Sequence, residues 1–331
     1  MGADLFSSAK KYVDGFTLAL LFTVVLALFL PAKGAVYKVL DLSSSLVVAS
    51  LFFFHGLKLS PDNLWRGLSD LRLHLAVIAV TFILFPLYGL ALGPLFKYLT
   101  NGTLFEGMMF ICVLPSTVQS SIAFTSMAKG DVAAAVCSAS FSSLLGVLVT
   151  PALVSLIMRA QIGQSLGGAV FDLFIQLILP FALGQALRPW LKNWMERRKK
   201  ILGVTDRLSI LFIVYVSFSH GTNVGVWDLI SAPLLLAVLL CCAVLLSLAL
   251  LTTFLIGRLF GFERARRVVL IFCGSKKSLV TGAPMANVIF TPSMASVIIL
   301  PLMIFHQLQL VVCSFLARAM SVSPKALEQT D

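Results

Sequence analysis

Apolar runs separated by short polar loops cover almost the whole chain. A hydrocarbon core of ~30 Å needs about 20 predominantly apolar residues, so such runs are typical of helices that cross a membrane. We predict an all-α integral membrane protein with ten spans, several of them near the lower length limit. Their predicted bounds are 16–31, 40–57, 73–96, 105–128, 132–158, 169–188, 208–221, 229–256, 268–290 and 294–317.

The fourth and ninth predicted spans are interrupted by polar residues. In the ninth span, Lys276 and Lys277 lie well inside the apolar window, and we expect Gly274, Gly282 and Pro284 to interrupt the helix there. Charged side chains and free backbone groups are tolerated at this depth only where they face protein or a water-filled cavity. A broken helix with buried charge is typical of a secondary transporter site. The alternative is a simple kink whose lysines extend to the membrane interface.

The two halves of the sequence resemble each other. A shift of 158 residues aligns the first and sixth spans and the two broken spans, and a shift of 165 aligns the ends of the second and seventh. We therefore interpret 1–159 and 160–331 as two repeats of five spans. Because five is an odd number, the second repeat must enter the membrane from the opposite side, as in many secondary transporters. The aligned pairs are Phe16 with Phe174, Leu21 with Leu179, Pro31 with Pro189, Ser120 with Ser278, Met127 with Met285, Ala128 with Ala286, and Phe53, His55 and Gly56 with Phe218, His220 and Gly221.

Composition and charge support this interpretation. Of 331 residues, 59% are hydrophobic and only 12% are charged, which excludes an ordinary soluble domain. The net charge is +11, but the basic residues occupy short loops between the apolar runs. Their distribution therefore indicates how the spans are oriented in the membrane, and it gives no support for a nucleic-acid partner. With ten spans, 19 Lys and Arg residues fall on one side of the membrane and 4 on the other. This asymmetry predicts that both termini are cytoplasmic.

The sequence offers no pattern typical of an intramembrane enzyme. A paired serine and histidine in a glycine-rich setting, two facing aspartates and a zinc motif are all missing, so we predict a protein that is not an enzyme. The six cysteines lie in apolar segments without metal-ligand spacing, and we expect reduced packing residues. We interpret Asp131, which follows a glycine, as the N-cap of the fifth span.

Two long motifs carry a resemblance to a known family. They are LPSTVQSSIAFTSMAKGDVAAAVCSAS at 114–140 and FCGSKKSL at 272–279. The chain resembles the bile acid:sodium symporter (SBF-like) family, and within it the orphan branch found in bacteria and eukaryotes. The resemblance implies ten helices in two inverted repeats, with spans 3–5 and 8–10 in a core domain and spans 1, 2, 6 and 7 in a panel domain. Spans 4 and 9 would cross at their unwound centres. It also implies a small organic anion as substrate and a location in the plasma membrane, which is the inner membrane in a bacterium.

The sodium ligands of the bile acid branch do not carry over. A glutamate and a glutamine of that branch correspond here to Phe272 and Lys276, and its serine–asparagine pair corresponds to Ser120 and Ser121. The hydroxyl ligands of its fifth span correspond to two alanines, with Ser138 and Ser140 beside them. A hard cation needs several oxygen ligands, so we expect both sodium sites to be lost as that branch builds them. Ser120 and Ser121 remain a candidate sodium site.

We predict a substrate and ion site around the two broken spans, without a cofactor. Gln119 and His306 also have structural interpretations as helix-to-helix hydrogen-bonding residues. The predicted site residues are Gln119, Ser120, Ser121, Ser140, Gly274, Lys276, Lys277, Ser278, His306 and Gln307.

The sequence thus favours a secondary transporter of an organic anion in which Lys276 takes the place of a bound cation. Burial and a second ammonium group both disfavour the charged form of a lysine, so one of the pair could exchange a proton during transport. The coupling ion is then a proton, or sodium if a non-standard site survives. A membrane regulator without transport, for example of calcium homeostasis, is the other alternative. The sequence does not predict the oligomeric state.

Overall fold

The computed structural model describes residues 15–58, 70–100, 104–158 and 174–321, and all regular structure in these ranges is helical. A π-helical segment, Val80–Leu84, joins α3 to α4, and another, Phe174–Ile178, leads into α8. The helices are α1 Gly15–Phe29, α2 Gly34–Lys58, α3 Leu71–Ala79, α4 Phe85–Leu99, α5 Phe105–Val113, α6 Gln119–Met127, α7 Val132–Ile157, α8 Leu179–Arg197, α9 Lys199–Asn223, α10 Ala232–Leu259, α11 Arg264–Gly274, α12 Leu279–Ile289 and α13 Pro292–Ser321.

Six helices within these ranges are long and apolar enough to cross a membrane: Gly34–Lys58, Leu71–Leu99, Val132–Ile157, Ile201–Asn223, Ala232–Leu259 and Pro292–Ser321. Large apolar side chains on the outside, such as Val39, Leu42 and Leu46 of α2, are exposed, as expected for a surface that faces lipid. The predicted start of the sixth span at 169 lies outside the described residues. The count of ten spans in two inverted repeats stays a prediction.

The two broken spans appear as helix pairs. Residues 114–118 separate α5 from α6, and residues 275–278 separate α11 from α12. Asp131 is the N-cap of α7 and accepts the Ala134 backbone N–H at 2.9 Å, which confirms that prediction.

The predicted role of Gly282 and Pro284 as helix breakers is wrong. Both residues lie inside α12, because the helix already starts after Ser278. Ser278 is its N-cap, and the Ser278 hydroxyl accepts a hydrogen bond from the Thr281 N–H at 3.2 Å. Gly274 is the last residue of α11, as expected for a residue at a break. A Cβ on Gly282 would lie 2.6 Å from Cδ1 of Leu114 and 2.7 Å from Cδ2 of Leu302. This glycine therefore permits close packing of the broken spans instead of ending a helix.

Helices α2 and α8 approach each other closely at two glycines. A Cβ on Gly56 would lie 2.1 Å from the Phe181 carbonyl oxygen, and one on Gly184 would lie 2.1 Å from the Phe53 carbonyl oxygen. Gln185 fixes the pair by donating to the Gly56 carbonyl at 2.6 Å. Small residues at such contacts allow backbones to approach in a membrane, where the hydrophobic effect does not drive association.

We expect Gly184→Ala to destabilise the protein by about 1–3 kcal/mol, because the added methyl group overlaps a backbone atom that cannot rotate away. Gly203→Ala is the matched control: that helical position has open space around it, and the same change there should be neutral or stabilising by up to about 1 kcal/mol. Unfolding of both variants in detergent measures the difference. Equal stability of the two variants would contradict the tight contact.

Candidate functional site

The breaks of the two helix pairs are in direct contact. The Ser116 hydroxyl donates to the Cys273 carbonyl at 2.5 Å, and the Ser121 hydroxyl donates to the Phe272 carbonyl at 2.9 Å. In the other direction, the Ser278 N–H donates to the Pro115 carbonyl at 2.9 Å. Helix ends leave backbone groups without intrahelical partners, and here each break supplies partners for the other. The sequence prediction that these two segments meet is confirmed at the level of individual hydrogen bonds.

Both lysines of this region are fully buried, but they have different partners. The Lys277 ammonium donates to three backbone carbonyls, those of Thr81 at 2.8 Å, Cys112 at 3.2 Å and Leu114 at 2.7 Å. Its Nζ also lies 4.0 Å from the centre of the Phe85 ring. Carbonyl oxygens and an aromatic face both attract a cation, so this ammonium group is surrounded by favourable partners.

Lys276 has a sparser environment. Within the described residues its ammonium makes one hydrogen bond, to the Ser120 hydroxyl at 3.0 Å, and lies 4.4 Å from the centre of the Phe124 ring. Ser120 in turn donates to the Thr117 hydroxyl at 3.0 Å. An ammonium group has three N–H donors, so Lys276 retains capacity to bind a further acceptor.

A glutamine of α13 holds the ninth span at its break. The Gln309 amide accepts the Lys277 backbone N–H and donates to the Lys277 carbonyl, both at 2.8 Å. Its NH₂ group also lies 3.0 Å from Nδ1 of His306. The amide thereby replaces the helical hydrogen bonds that the break removes from this residue.

A cavity of about 850 Å³ extends from these breaks to the ends of α2 and α9. Such a volume is in the range of small-molecule sites. The residues at its inner end come from both breaks, from α6 and α12 beside them, and from α7 and α13. They include Thr117, Gln119, Ser120, Phe124, Ser140, Ser278, Thr281 and His306.

The other end of the cavity, which we call the mouth, carries charged residues of α2 and α9. Lys58 forms an ion pair with Asp206 and also donates to the Leu202 carbonyl at 3.4 Å. Arg207 lies next to this pair and is exposed. The second carboxylate oxygen of Asp206 is buried and has no hydrogen-bond partner in the described part of the chain. Among the described residues that line the mouth, one carboxylate stands against two basic side chains, so these residues together are positively charged.

The structure brings most of the predicted site residues together. Gln119, Ser120, Ser140, Ser278 and His306 line the cavity. Lys276 lies directly behind two lining side chains, and Ser121 and Lys277 are buried in the crossing itself. The other two residues lie apart from the lining: Gly274 packs against Val80 and Thr253, and Gln307 is half-buried on α13.

Both hydroxyl groups of the candidate sodium site take part in hydrogen bonds within the protein. Ser120 accepts from Lys276, and Ser121 donates to a backbone carbonyl. The Phe272 ring packs 5.9 Å from the Phe124 ring, centre to centre. No group of three His, Cys, Asp or Glu residues that could hold a metal occurs in the described ranges. All six cysteines are buried, which agrees with the prediction that they are packing residues.

Several residues of the crossing were missed at the sequence level. Thr81, Ser116 and Ser142 contribute backbone or hydroxyl groups, and Gln309, which bonds to the Lys277 backbone, was also not among the predicted site residues. The three-residue spacing of Gln309 from His306, which puts both on one helix face, was the available signal. The role of the Thr81 backbone carbonyl could not be predicted from the sequence, because every residue type has a backbone carbonyl.

Comparison with known proteins agrees with this geometry. The model of the SBF-like CPA transporter family matches residues 14–322. The chain belongs to this family. It is an integral membrane transporter that is related to the bile acid:sodium symporters, and it is not an enzyme.

Individual relatives cover nearly the whole chain. An uncharacterised protein of Pseudomonas aeruginosa is 48% identical over 307 residues, which are 92% of each chain. A candidate symporter of Escherichia coli K12, YfeH, is 43% identical over 308 residues, or 93% of each chain. Sodium/bile acid cotransporter 7 of Rattus norvegicus is 33% identical over 276 residues, which are 82% of this chain and 81% of that protein.

Proposed function

We propose that this protein is a secondary active transporter of a small organic anion in which Lys276 replaces a sodium ion as the coupling group. The observation that carries the proposal is the cavity that ends beside the Lys276 ammonium at the contact between two broken helices. The proposal includes ten spans in two inverted repeats, 1–159 and 160–331, arranged as the core and panel domains defined above. It also places the protein in the plasma membrane, the inner membrane of a bacterium, with both termini cytoplasmic.

The charges along the cavity favour an anionic substrate. Lys58 and Arg207 outnumber Asp206 at the mouth, and Lys276 lies at the inner end with N–H donors to spare. The N-terminus of α12 begins at Ser278 on the same wall, where the helix dipole also favours negative charge. Apolar side chains such as Val147 and Ile210 between these ends suit an organic rather than an inorganic anion.

The cavity mouth faces the cytoplasm in the proposed topology. The residues of the mouth follow the second span and precede the seventh, where the basic loops are concentrated. The structure would then correspond to an inward-facing state, and the substrate site would open to the outside when core and panel move relative to each other.

Ligand-induced stabilisation of the purified protein tests the substrate class. We expect organic anions to raise the melting temperature, and matched neutral amides or amines of the same carbon skeleton to leave it unchanged, since only ligands of the native state stabilise it. Ser140→Leu, which fills part of the cavity wall, should remove the response. Stabilisation by cationic or neutral compounds alone would contradict the proposal.

Sodium coupling is the second candidate, and it is favoured by the similarity to the sodium/bile acid cotransporter of Rattus norvegicus. In this chain, sodium would have to use hydroxyl and carbonyl oxygens at the crossing, without the carboxylate that a hard cation prefers. Uptake into proteoliposomes under separate sodium and proton gradients distinguishes the two candidates.

A further inference from the structure

We propose that the carbonyl oxygens of Thr81, Cys112 and Leu114 form a monovalent-cation site that the protein fills permanently with the ammonium group of Lys277. We call these three oxygens the carbonyl cage. The inference deepens the proposed function and rests on it in one respect. In both, the ammonium group of a lysine takes the place of a free cation. The two lysines then have separate roles, with Lys277 fixed and Lys276 beside the substrate cavity.

The first carbonyl of the cage is freed by the π-helical segment. In an α-helix the Phe85 N–H would bond to the Thr81 carbonyl four residues earlier. Here the Phe85 N–H donates to the Val80 carbonyl instead, five residues earlier. The Thr81 carbonyl is therefore available, and it accepts from Lys277 at 2.8 Å. Isolated π-turns of this kind often occur at functional sites.

The other two carbonyls are freed by the break after α5. In a continuous helix the Cys112 carbonyl would accept the Ser116 N–H, but that N–H donates to the Ser142 hydroxyl at 2.9 Å. Leu114 is extended, with ψ of 154°, so its carbonyl points away from the helix that has just ended. Three carbonyls from two separate helices thus converge on one point, which would be costly without a cation or a donor among them.

The carbonyl cage offers an ammonium group as many hydrogen-bond acceptors as that group has N–H donors. Three acceptors lie 2.7–3.2 Å from Nζ, and an ammonium on a carbon chain has three N–H donors. A neutral amine has two, so it would leave one buried carbonyl facing a lone pair. The Phe85 ring, 4.0 Å from Nζ, supplies a fourth partner that favours positive charge. Rings of backbone carbonyls are also how channels replace the hydration shell of a monovalent cation.

Lys277→Ala tests the cage by emptying it. This change removes Cγ, Cδ, Cε and Nζ, which together have the size and charge of n-propylammonium. We expect the purified variant to melt on the order of 10 °C below the wild type, and n-propylammonium chloride to restore most of the loss. Potassium, sodium or ammonium should stabilise it partly, and choline, which is too large for the cage, should not. Wild-type melting should be the same in all of these salts.

Lys276→Ala is the matched control, since it removes the neighbouring ammonium, which has one hydroxyl partner and no carbonyl cage. We expect no rescue of that variant by n-propylammonium. A folded Lys277→Ala protein that responds to none of these cations would overturn the proposal, as would equal rescue of both variants.

A second measurement does not depend on Lys277 being replaced. In ¹⁵N-lysine-labelled Lys276→Met protein, Lys277 is the remaining fully buried lysine of the described residues. We expect its nitrogen to give an ammonium resonance with slow hydrogen exchange at every pH from about 5 to about 9, a range in which an unperturbed lysine is also charged. A neutral amine resonance within that range would overturn the proposal. Both experiments are done in detergent without transport, so their failure is distinguishable from a failure of the proposed anion transport.

Discussion

Replacing Lys276 with methionine is expected to reduce anion uptake into proteoliposomes roughly 10- to 100-fold, because hydrogen bonds to charged groups contribute about 1.5–3 kcal/mol. Methionine keeps the unbranched stem but has no charge and no donor for Ser120 or for a substrate anion. Any dependence of the residual uptake on a proton gradient should disappear as well. Initial rates with imposed proton and sodium gradients measure both effects.

Lys192→Met is the matched control, since it makes the same chemical change on an exposed part of α8. Its uptake should equal that of the wild type. Uptake by the Lys276→Met variant that remains at the wild-type rate and requires a sodium gradient would contradict the lysine mechanism and favour a sodium symporter.

A cross-link between cysteines at 217 and 287 is expected to abolish uptake almost completely. Ser217 of α9 donates to Oδ1 of Asn287 of α12 at 2.8 Å, and His220 lies 2.9 Å from the Ser293 hydroxyl nearby. These bonds join the proposed panel to the proposed core, away from the cavity mouth, so they must break if the site is to open to the other side. A covalent link would hold the protein with its mouth open and prevent that exchange.

A cross-link inside the panel is the control for this experiment. Ser219 accepts a hydrogen bond from the Ala32 backbone N–H at 3.3 Å. Ser219 belongs to the seventh span, and Ala32 directly follows the first, so the bond lies within the proposed panel. Cysteines at 32 and 219 should cross-link without loss of uptake, and reduction should restore uptake to the 217–287 variant. Full uptake by the cross-linked 217–287 protein would contradict a motion of core against panel.

The sequence was most informative where residue type alone determines local structure. Two lysines inside an apolar window required a protein-lined environment, and both are fully buried at a helix break. Ser278 has the N-cap chemistry that starts α12, and Asp131 has that of α7. Gly282 was misinterpreted because glycine serves both helix ends and close packing, and only the position of Leu114 and Leu302 distinguishes these uses.

The sequence could not predict how the two lysines divide their partners. Adjacent residues in this non-helical segment point in different directions, but the sequence does not show which of them meets the cavity, because that depends on how the segment packs. Lys277 finds backbone carbonyls, whose exposure depends on helix register and not on side-chain identity. Gln309 likewise acts through the backbone of a residue 32 positions away in sequence, which no local pattern encodes.

The π-helical segment Val80–Leu84 has a consequence for comparing chains of this family. A π-turn is equivalent to one residue inserted into an α-helix, so a chain without the insertion would show a one-residue gap here in an alignment. Deleting one residue rotates everything before it by about 100° about the helix axis and shifts it by about 1.5 Å. His74, whose Nδ1 lies 2.7 Å from the Ser138 hydroxyl, would then face a different helix. We therefore expect that a relative can have the same carbonyl cage only if it has the same number of residues between the positions of His74 and Phe85. The identity of those residues matters less.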